Sequence, residues 1–393
     1  MRSGASPPRN AVACARSGPR STYLDYNATA PLRPAVVEAM AEALGRVGNP
    51  SSVHHAGRAA RRALEQARAA VAALVGAAPE AVVFTSGGTE ANNQAVGSAG
   101  GPSLISAIEH DSVLVAAPDA VRLPVDGAGR VDLVQLEERL AALRPALVSV
   151  MLANNETGVI QPVAEIARLA RRSGARVHCD AVQAAGKLPI ELGALGVDLL
   201  SLSAHKLGGP QGVGALILGE DVRPAALLRG GGQERRLRPG TENLPGIVGF
   251  ACAAELALAD HELAPRVAAL RDRLEAEIQA LVPAAPVYGR EAPRLPNTSC
   301  LGMPGVSNQT QLMAFDLEGI AVSTGSACSS GKVGPSHVLA AMGVPQEAAA
   351  SAIRISLGWA SSEEDVDRLI AVWAELYART HGETAPAGAA RTA

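Results

Sequence analysis

Lys206 stands out in this sequence by its position and by its chemistry. It follows an apolar run at residues 197–202 and precedes a Gly-Gly-Pro turn at 208–210, which predicts a buried strand and its end. Only 3 of the 35 Lys and Arg residues of the chain are lysines. A lysine amine can lose its proton and form a Schiff base, whereas a guanidinium group stays charged. A rare lysine at a strand end therefore indicates amine chemistry.

Polar residues follow other predicted strands in the same way. The strands are predicted at residues 81–86, 104–107, 147–152 and 175–180. Because ligands of open α/β sheets bind beyond the carboxyl ends of the strands, we expect the polar residues there to lie close to Lys206. These residues are Thr89, His110, Asn155 and Asp180, with Gln183 three positions further on.

The segment Gly87-Gly88-Thr89 joins a predicted strand to a predicted helix. Backbone N–H groups at such a helix start, together with the positive end of the helix dipole, can hold a phosphate. The segment matches neither the G-x-G-x-x-G pattern nor a Walker loop. A phosphate site and a plain tight turn both stay open on these residues alone.

Cys328 lies in a segment of small residues, S-T-G-S-A-C-S-S-G at 323–331. Structural cysteines are normally buried among apolar side chains, so these neighbours favour exposure and reactivity over packing. The 5 cysteines of the chain include no C-x-x-C pair, so neither a disulfide framework nor a zinc site is predicted. This use of cysteine is typical of a reducing, cytoplasmic location.

Arg354 interrupts an apolar strand predicted at residues 351–358. An arginine in such a strand indicates a carboxylate partner held by two parallel hydrogen bonds. The partner is either a bound carboxylate or an acidic side chain of the same chain, and the sequence leaves both open. His54 and His55 have two interpretations as well, a surface loop or the mouth of a site.

The alternation of strands and helices from about residue 80 to 220 predicts an α/β fold. Its central sheet is expected to be mostly parallel, with helices on both faces. The pattern changes beyond a helix broken near Pro265, so we predict an N-terminal segment and large domain at 21–262 and a smaller α+β domain at 263–380. Residues 1–20 are predicted to be a disordered tail or the product of a start site assigned too early, and 381–393 a second tail.

The composition argues against several classes of partner. The net charge of −3 gives no sign of nucleic acid or an anionic membrane, and no apolar run is long enough to span a bilayer. Aromatic residues make up only 2% of the chain, so a base-stacking surface is not expected. We therefore predict a protein that acts on a small molecule and binds neither nucleic acid nor membrane.

Together these residues describe a site for pyridoxal 5'-phosphate (PLP). The lysine forms a Schiff base with the cofactor, and an aspartate keeps the pyridine nitrogen protonated so that the ring accepts electrons. A Gly-Thr turn holds the phosphate, a ring such as imidazole stacks on the cofactor, and an arginine holds the carboxylate of an amino acid. Ordinary transamination has no need of the additional cysteine.

The sequence resembles the cysteine desulfurases of the iron–sulfur-cluster type, which are class V aminotransferases and fold-type I PLP enzymes. The resemblance covers about residues 22–375. It rests on the motifs Y-L-D-Y-N-A-T at 23, G-N-P-S-S at 48, T-S-G-G-T-E at 85, E-H at 109, N-N-E-T-G at 154, H-C-D-A-V-Q at 178, S-x-H-K at 203, R-P-G-T at 238, S-T-G-S-A-C-S-S-G at 323 and I-R-I-S-L-G at 353. Ala30 departs from the pattern, where a threonine is frequent.

The resemblance implies a role for each matching residue. Lys206 carries the cofactor and moves the proton of the substrate α-carbon, while His110 stacks on the ring and transfers protons. Asp180 pairs with the pyridine nitrogen and Gln183 with the phenolic oxygen. Further contacts are implied at the phosphate for Gly88, Thr89, Ser203, His205 and Thr241. Asn155 is implied to contact both the cofactor and the substrate, and Arg354 the substrate.

The resemblance also implies partners. Thr241 would reach the phosphate bound by a neighbouring subunit, which implies a homodimer. Cys328 would attack the sulfur of bound L-cysteine, leaving L-alanine and a persulfide that passes to an iron–sulfur scaffold protein or another sulfur carrier. No resident metal is implied, and Cys328 is a metal ligand only as a transient ligand of an iron–sulfur cluster.

Two other functions stay open beside L-cysteine desulfuration. One is a selenocysteine lyase or related β-lyase of the same fold. The other is a non-catalytic platform for sulfur assembly, against which the intact Lys206, Asp180 and Arg354 argue.

Overall fold

The computed structural model describes residues 21–325 and 335–382. Within this part of the chain the strands are β1 Thr22–Tyr23, β2 Val82–Thr85, β3 Ser103–Ser106, β4 Val121–Leu123, β5 Leu147–Ser149, β6 Arg176–Asp180, β7 Leu199–Ser203, β8 Gly214–Leu218, β9 Thr298–Gly302, β10 Ile320–Ala321 and β11 Ala352–Ser356.

The α-helices of the same ranges are α1 Pro34–Leu44, α2 His55–Ala73, α3 Gly88–Gly97, α4 Asp111–Leu114, α5 Leu133–Leu143, α6 Val163–Arg172, α7 Leu192–Leu195, α8 Leu244–Ala259, α9 Leu263–Leu281, α10 Asn308–Leu317, α11 His337–Ala341, α12 Gln346–Ala349 and α13 Glu363–His381. Short 3-10 turns occupy Pro79–Ala81, Ala204–Lys206 and Gln233–Arg236.

A seven-stranded sheet with the strand order β2-β8-β7-β6-β5-β3-β4 forms the centre of the fold. Strands β4, β3, β5, β6 and β7 pair in parallel, whereas β8 is antiparallel to both of its neighbours. The apolar strands β5, β7 and β8 are buried along their whole length, as expected for a sheet covered on both faces. The prediction of a mostly parallel α/β sheet is confirmed.

Two large apolar clusters form separate cores. The first lies around the central sheet and includes Phe84, Leu200 and Phe250. The second is built mainly from residues beyond Val267 and includes Trp373. The predicted boundary at residue 262 falls between α8 and α9. The division into two domains stays a proposal that these two cores support.

The start of the chain packs against the C-terminal part of the chain. Strand β1 pairs in parallel with β10, and Leu24 belongs to the second apolar cluster. A separate two-stranded antiparallel sheet joins β9 and β11. The residues just after β1 thereby lie beside the strand that carries Arg354, which matters for the site described below.

The structure describes only part of the two ends of the chain. Helix α13 continues to His381, one residue into the segment predicted as a tail, while 1–20 and 383–393 lie outside the described residues. No helix in the described ranges is long and apolar enough to cross a bilayer.

Candidate active site

A cavity of about 240 Å³ lies where β6 and β7 end. Every predicted cofactor or substrate residue except Thr241 lines it, and Lys206 is among them. The predicted residues that it brings together are Gly88, Thr89, His110, Asn155, Asp180, Gln183, Ser203, His205, Lys206 and Arg354.

A second cavity, of about 280 Å³, also borders Lys206. It is lined mainly by apolar side chains, and none of the other predicted site residues reaches it. The chemistry that the sequence predicts is therefore concentrated in the first cavity.

Helix α3 begins at Gly88, directly after β2 and the turn at Ser86-Gly87. The first backbone N–H groups of a helix have no partner within it, so Gly88 and Thr89 are suited to an anion. Gly214 lets β8 pass close to this turn, because a Cβ atom there would lie 2.6 Å from the carbonyl carbon of Gly87. The geometry is that of an anion cradle, with no side chain of β8 filling it.

His205 joins this cradle as a neutral ring. Burial, and then the charges of Lys206 and Lys187, lower its pKa to about 4. Its Nδ1 atom lies 3.2 Å from the hydroxyl oxygen of Thr29. At neutral pH one ring nitrogen therefore carries a proton that can be donated to an anion.

Lys206 follows β7 at the end of the single 3-10 turn Ala204–Lys206. Its amine donates to the carbonyl oxygen of Asn27 and, at 3.0 Å, to that of Ala28. The end of β7 thus places the Lys206 amine at the cavity, and two main-chain carbonyl groups orient the amine.

Asp180 is the last residue of β6 and is buried. Its Oδ1 atom accepts from the backbone N–H of Val182 at 2.9 Å, and Oδ2 accepts from the Asn92 amide at 2.7 Å. A carboxylate held by two donors in this way is suited to face a protonated ring nitrogen.

Gln183 is oriented by a second lysine. The amine of Lys187 donates to Oε1 of Gln183 at 2.9 Å and to Oδ1 of Asn27 at 3.0 Å. The amide nitrogen of Gln183 donates in turn to the carbonyl oxygen of Asn27 at 2.9 Å. Burial of the amine, followed by the charges of Lys206 and Arg354, holds the pKa of Lys187 well below its usual value.

Arg354 is almost wholly buried, with 2% of its surface exposed. It donates from Nη1 to the carbonyl oxygen of Asn155 at 3.1 Å and from Nη2 to Oδ1 of Asp25 at 2.7 Å. Its Nε atom has no hydrogen-bond partner among the described residues. Of the two partners left open by the sequence, the structure contains the internal one, and the guanidinium group also reaches the cavity wall.

Residues 22–369 match the family described as aminotransferase class-V. A cysteine desulfurase from Cereibacter sphaeroides is 50% identical over 368 residues, which cover 89% of this chain and 94% of that relative. The chain belongs to the class-V aminotransferase family. The predicted resemblance is thereby confirmed.

Two further relatives agree with this assignment. An IscS-like cysteine desulfurase from Mycobacterium tuberculosis is 41% identical over 391 residues, covering 94% of this chain and 100% of the relative. The solved structure of a NifS-like protein from Rickettsia africae ESF-5 has a TM-score of 0.85 and 37% identity, covering 91% of this chain and 99% of that one. The predicted fold of fold-type I PLP enzymes is confirmed for this class-V chain.

One predicted site residue within the described ranges does not line the cavity. Thr241 is exposed and does not line it, although Arg238 three residues earlier pairs with Glu90 of α3 at 3.0 Å. Cys328 lies outside the described residues. Within residues 21–325 and 335–382 no cluster of three or more His, Cys, Asp or Glu side chains could hold a metal ion.

Five residues at the site of this class-V chain were not predicted from the sequence, namely Asp25, Asn27, Asn92, Ser112 and Lys187. Two of them carried a usable signal. Asn92 lies three residues after Thr89, on the same face of α3, and Lys187 is one of three lysines and lies four residues after Gln183. Asp25 and Asn27 lie in the motif Y-L-D-Y-N-A-T at 23, but no local pattern predicted their contacts, because their partners are distant in the sequence.

Proposed function

We propose that this chain is a PLP-dependent L-cysteine desulfurase that forms L-alanine and a persulfide on Cys328. The observation that carries the proposal is the meeting of Lys206, Asp180 and the start of α3 at one cavity. The class-V family as a whole is PLP-dependent, and the relatives that cover nearly all of the chain are cysteine desulfurases.

The groups around the cavity fit the cofactor chemically. The N–H groups at the start of α3, with the Ser203 hydroxyl and the neutral His205 ring, suit a phosphate. The Asp180 carboxylate suits a protonated pyridine nitrogen, and the Lys206 amine suits a carbonyl carbon. When bound, PLP withdraws electrons from the α-carbon of an attached amino acid.

With the cofactor bound, side chains of the protein would transfer protons and hold the substrate. Lys206 would take the proton from the substrate α-carbon, and Arg354 with Asn155 would hold the substrate carboxylate. His110 lies against the same cavity and transfers protons there. Asp180 keeps its partner nitrogen protonated throughout.

Cys328 would accept the sulfur. The bond between Cβ and Sγ of the substrate breaks, a sulfur–sulfur bond forms on Cys328, and the substrate carbon keeps the electron pair and takes up a proton. The thiol of Cys328 gives up one proton, so L-cysteine and a thiol become L-alanine and a persulfide with no external oxidant. Attack requires the thiolate form of Cys328.

The proposal extends to partners and location. Thr241 would complete the phosphate site of a second copy of the chain in a homodimer. The persulfide would pass to an iron–sulfur scaffold protein or another sulfur carrier, as the names of the IscS-like and NifS-like relatives suggest. Cysteine usage supports a reducing, cytoplasmic setting.

The test is to incubate the PLP-loaded protein with L-cysteine and to measure L-alanine and protein-bound sulfur. The intact protein should produce both. Cys328→Ala should bind PLP normally and form no persulfide, whereas a selenocysteine lyase would release selenium from selenocysteine and act poorly on L-cysteine. Pyruvate in place of L-alanine, or full sulfide release by Cys328→Ala, would contradict the proposal.

A further inference from the structure

A hydrogen-bonded chain of side chains joins Asp180 to His110. Nδ2 of Asn92 lies 2.7 Å from Oδ2 of Asp180 and 2.8 Å from Oγ of Ser112. Oγ of Ser112 lies 2.8 Å from Nδ1 of His110. Asn92 and Ser112 are buried, and both line the cavity together with the two residues that they connect.

We infer that Asn92 and Ser112 are positioning residues that hold His110 as a neutral imidazole with its proton on Nε2. His110 therefore enters the reaction as a proton donor at Nε2, not as a base at that nitrogen. The inference deepens the proposed desulfurase function and rests on it for the chemical role of His110. The direction of each hydrogen bond between Asp180 and His110 follows from groups that can only donate or can only accept.

The first such group is the carboxylate of Asp180. An ionised carboxylate only accepts, so the Asn92 atom beside it is the amide nitrogen and the amide cannot be reversed. That nitrogen has two hydrogens, one directed to Asp180 and one to Ser112. The oxygen of Ser112 accepts from Asn92, and its single hydrogen remains for His110.

The second such group is the backbone N–H of Ser112, which can only donate. It lies 3.1 Å from Nδ1 of His110, and this bond caps the first turn of α4. Two donors, the Ser112 amide and the Ser112 hydroxyl, therefore converge on Nδ1. A proton on Nδ1 would face both of them, so Nδ1 keeps its lone pair and the ring proton lies on Nε2.

This arrangement gives Asp180 a second role. The carboxylate that would hold the pyridine nitrogen also fixes the direction of hydrogen bonding as far as His110. Chains of polarised hydrogen bonds strengthen one another in a buried site. Loss of the Ser112 hydroxyl removes one of the two donors to Nδ1 and breaks the connection to Asp180, while the backbone donor stays.

Asn93 supplies a matched control. Its amide donates to the backbone carbonyl of the same Ser112 at 2.9 Å, yet it has no part in the connection from Asp180 to His110. Asn93→Ala removes a partly buried amide contact to the main chain of Ser112 and leaves the Ser112 hydroxyl in place. Ser112→Thr keeps the hydroxyl and is the conservative rescue of Ser112→Ala.

The test is the ¹⁵N NMR spectrum of the histidine side chains in PLP-loaded protein without substrate, with His110→Gln to assign the signals. We expect an unprotonated Nδ1 and a protonated Nε2 in the intact protein, Asn93→Ala and Ser112→Thr. Ser112→Ala and Asn92→Ala should show a mixture of both tautomers, and Ser112→Ala should lower kcat for L-cysteine about tenfold with KM changed less than about twofold.

Two results would overturn the inference. A proton on Nδ1 in the intact protein would show that the directions are wrong, and an unchanged spectrum in Ser112→Ala would show that Ser112 does not position the ring. If Asn92→Ala does not fold, the comparison of Ser112→Ala with Ser112→Thr still tests whether Ser112 positions the His110 ring. The NMR spectrum is recorded without turnover, so it tests the tautomer of His110 independently of activity. A protein that makes no L-alanine would contradict the proposed function, but it would not change what the spectrum shows about His110.

Discussion

Nη2 of Arg354 lies 2.7 Å from Oδ1 of Asp25, in an ion pair that ties β11 to the start of the chain. Arg354 also lines the predicted cofactor cavity. An arginine that is already paired and fixed in this way offers its remaining N–H groups in a set orientation, which favours recognition of a substrate carboxylate.

Arg354→Lys should therefore raise KM for L-cysteine. Lysine keeps the charge but loses the planar fork, and a hydrogen bond to a charged group contributes about 1.5–3 kcal/mol, or about 10- to 160-fold in KM. Initial rates over a range of L-cysteine concentrations give the answer, with PLP content measured in parallel. Asp25→Asn keeps an Oδ1 acceptor for Nη2 of Arg354 and so keeps the orientation of the guanidinium group; it should leave KM near that of the intact protein. Equal increases in both variants would assign Arg354 a structural role only.

Lys187→Met should weaken the binding of PLP. The amine of Lys187 fixes the amide of Gln183 on the cavity wall, and methionine keeps the apolar stem but removes both hydrogen bonds. We expect about a tenfold loss of affinity, corresponding to about one net hydrogen bond. Fluorescence titration of the cofactor-free protein with PLP measures it.

A double-mutant cycle decides whether Lys187 acts through Gln183. In a Gln183→Ala background, Lys187→Met should cause little further loss, because the residue that it orients is already gone. Losses that simply add would mean that the two side chains contribute independently.

His178 should make the folded state sensitive to acid. It is wholly buried between the hydroxyls of Ser149 and Ser201, at 2.8 and 2.9 Å, and burial lowers its pKa to about 4. The folded pKa lies below the unfolded value of about 6.5, so the unfolded chain binds more protons between the two. Stability is full above about pH 6.5 and falls as the pH drops toward 4.

For His178 alone, this effect amounts to about 2 kcal/mol between pH 7 and pH 5. Urea unfolding of the intact protein and of His178→Asn at both pH values measures it. The variant should lose less stability in acid, although His205, whose pKa is also lowered to about 4, keeps part of the dependence. A variant with the same pH dependence as the intact protein would contradict the assignment.

The buried pair Arg68–Glu234 should be essential for stability. Two hydrogen bonds of 2.8 and 2.7 Å join the side chains, and Oε2 of Glu234 also accepts from the backbone N–H of Phe84 at 2.9 Å. Glu234 has a left-handed φ of 44°, so this pair holds a strained turn shortly before Thr241.

Arg68→Met leaves the Glu234 carboxylate buried without its partner and should cost about 3–5 kcal/mol in the free energy of unfolding. Urea denaturation at neutral pH measures the loss. The double variant Arg68→Met with Glu234→Gln should recover a substantial part of it, because no unpaired charge remains. A loss below about 1 kcal/mol in Arg68→Met would contradict the importance of the pair.

Local sequence signals indicated that several polar residues lie at one edge of the sheet, and these residues line the cavity. Thr89, Asp180 and Lys206 each follow an apolar run that ends in turn-forming or polar residues, and such runs place their ends at one edge of a parallel sheet. The direction of β8 was not predicted, since the short Gly-Gly-Pro turn after Lys206 only became interpretable as part of an antiparallel connection in the fold.

Contacts between distant parts of the chain could not be predicted. Asp25 and Arg354 are 329 residues apart, and no periodicity connects them. The short β1 and β10 strands that bring the start of the chain to the C-terminal core are two residues each, too short for an alternating pattern. The hydrogen-bond partners of Asn27 could not be predicted either, because they are also distant from it in the sequence.

Lys206 is proposed to activate L-cysteine, and Cys328 is proposed to take its sulfur. The most direct measurement is intact-protein mass spectrometry of the PLP-loaded protein after a single turnover with L-cysteine, with L-alanine determined in the same sample. We predict one added sulfur atom, located on Cys328 by peptide mapping, and an equal amount of L-alanine, with neither product from Lys206→Ala. L-alanine formed without sulfur on Cys328 would contradict the role of Cys328, and sulfur transfer by Lys206→Ala would contradict the role of Lys206.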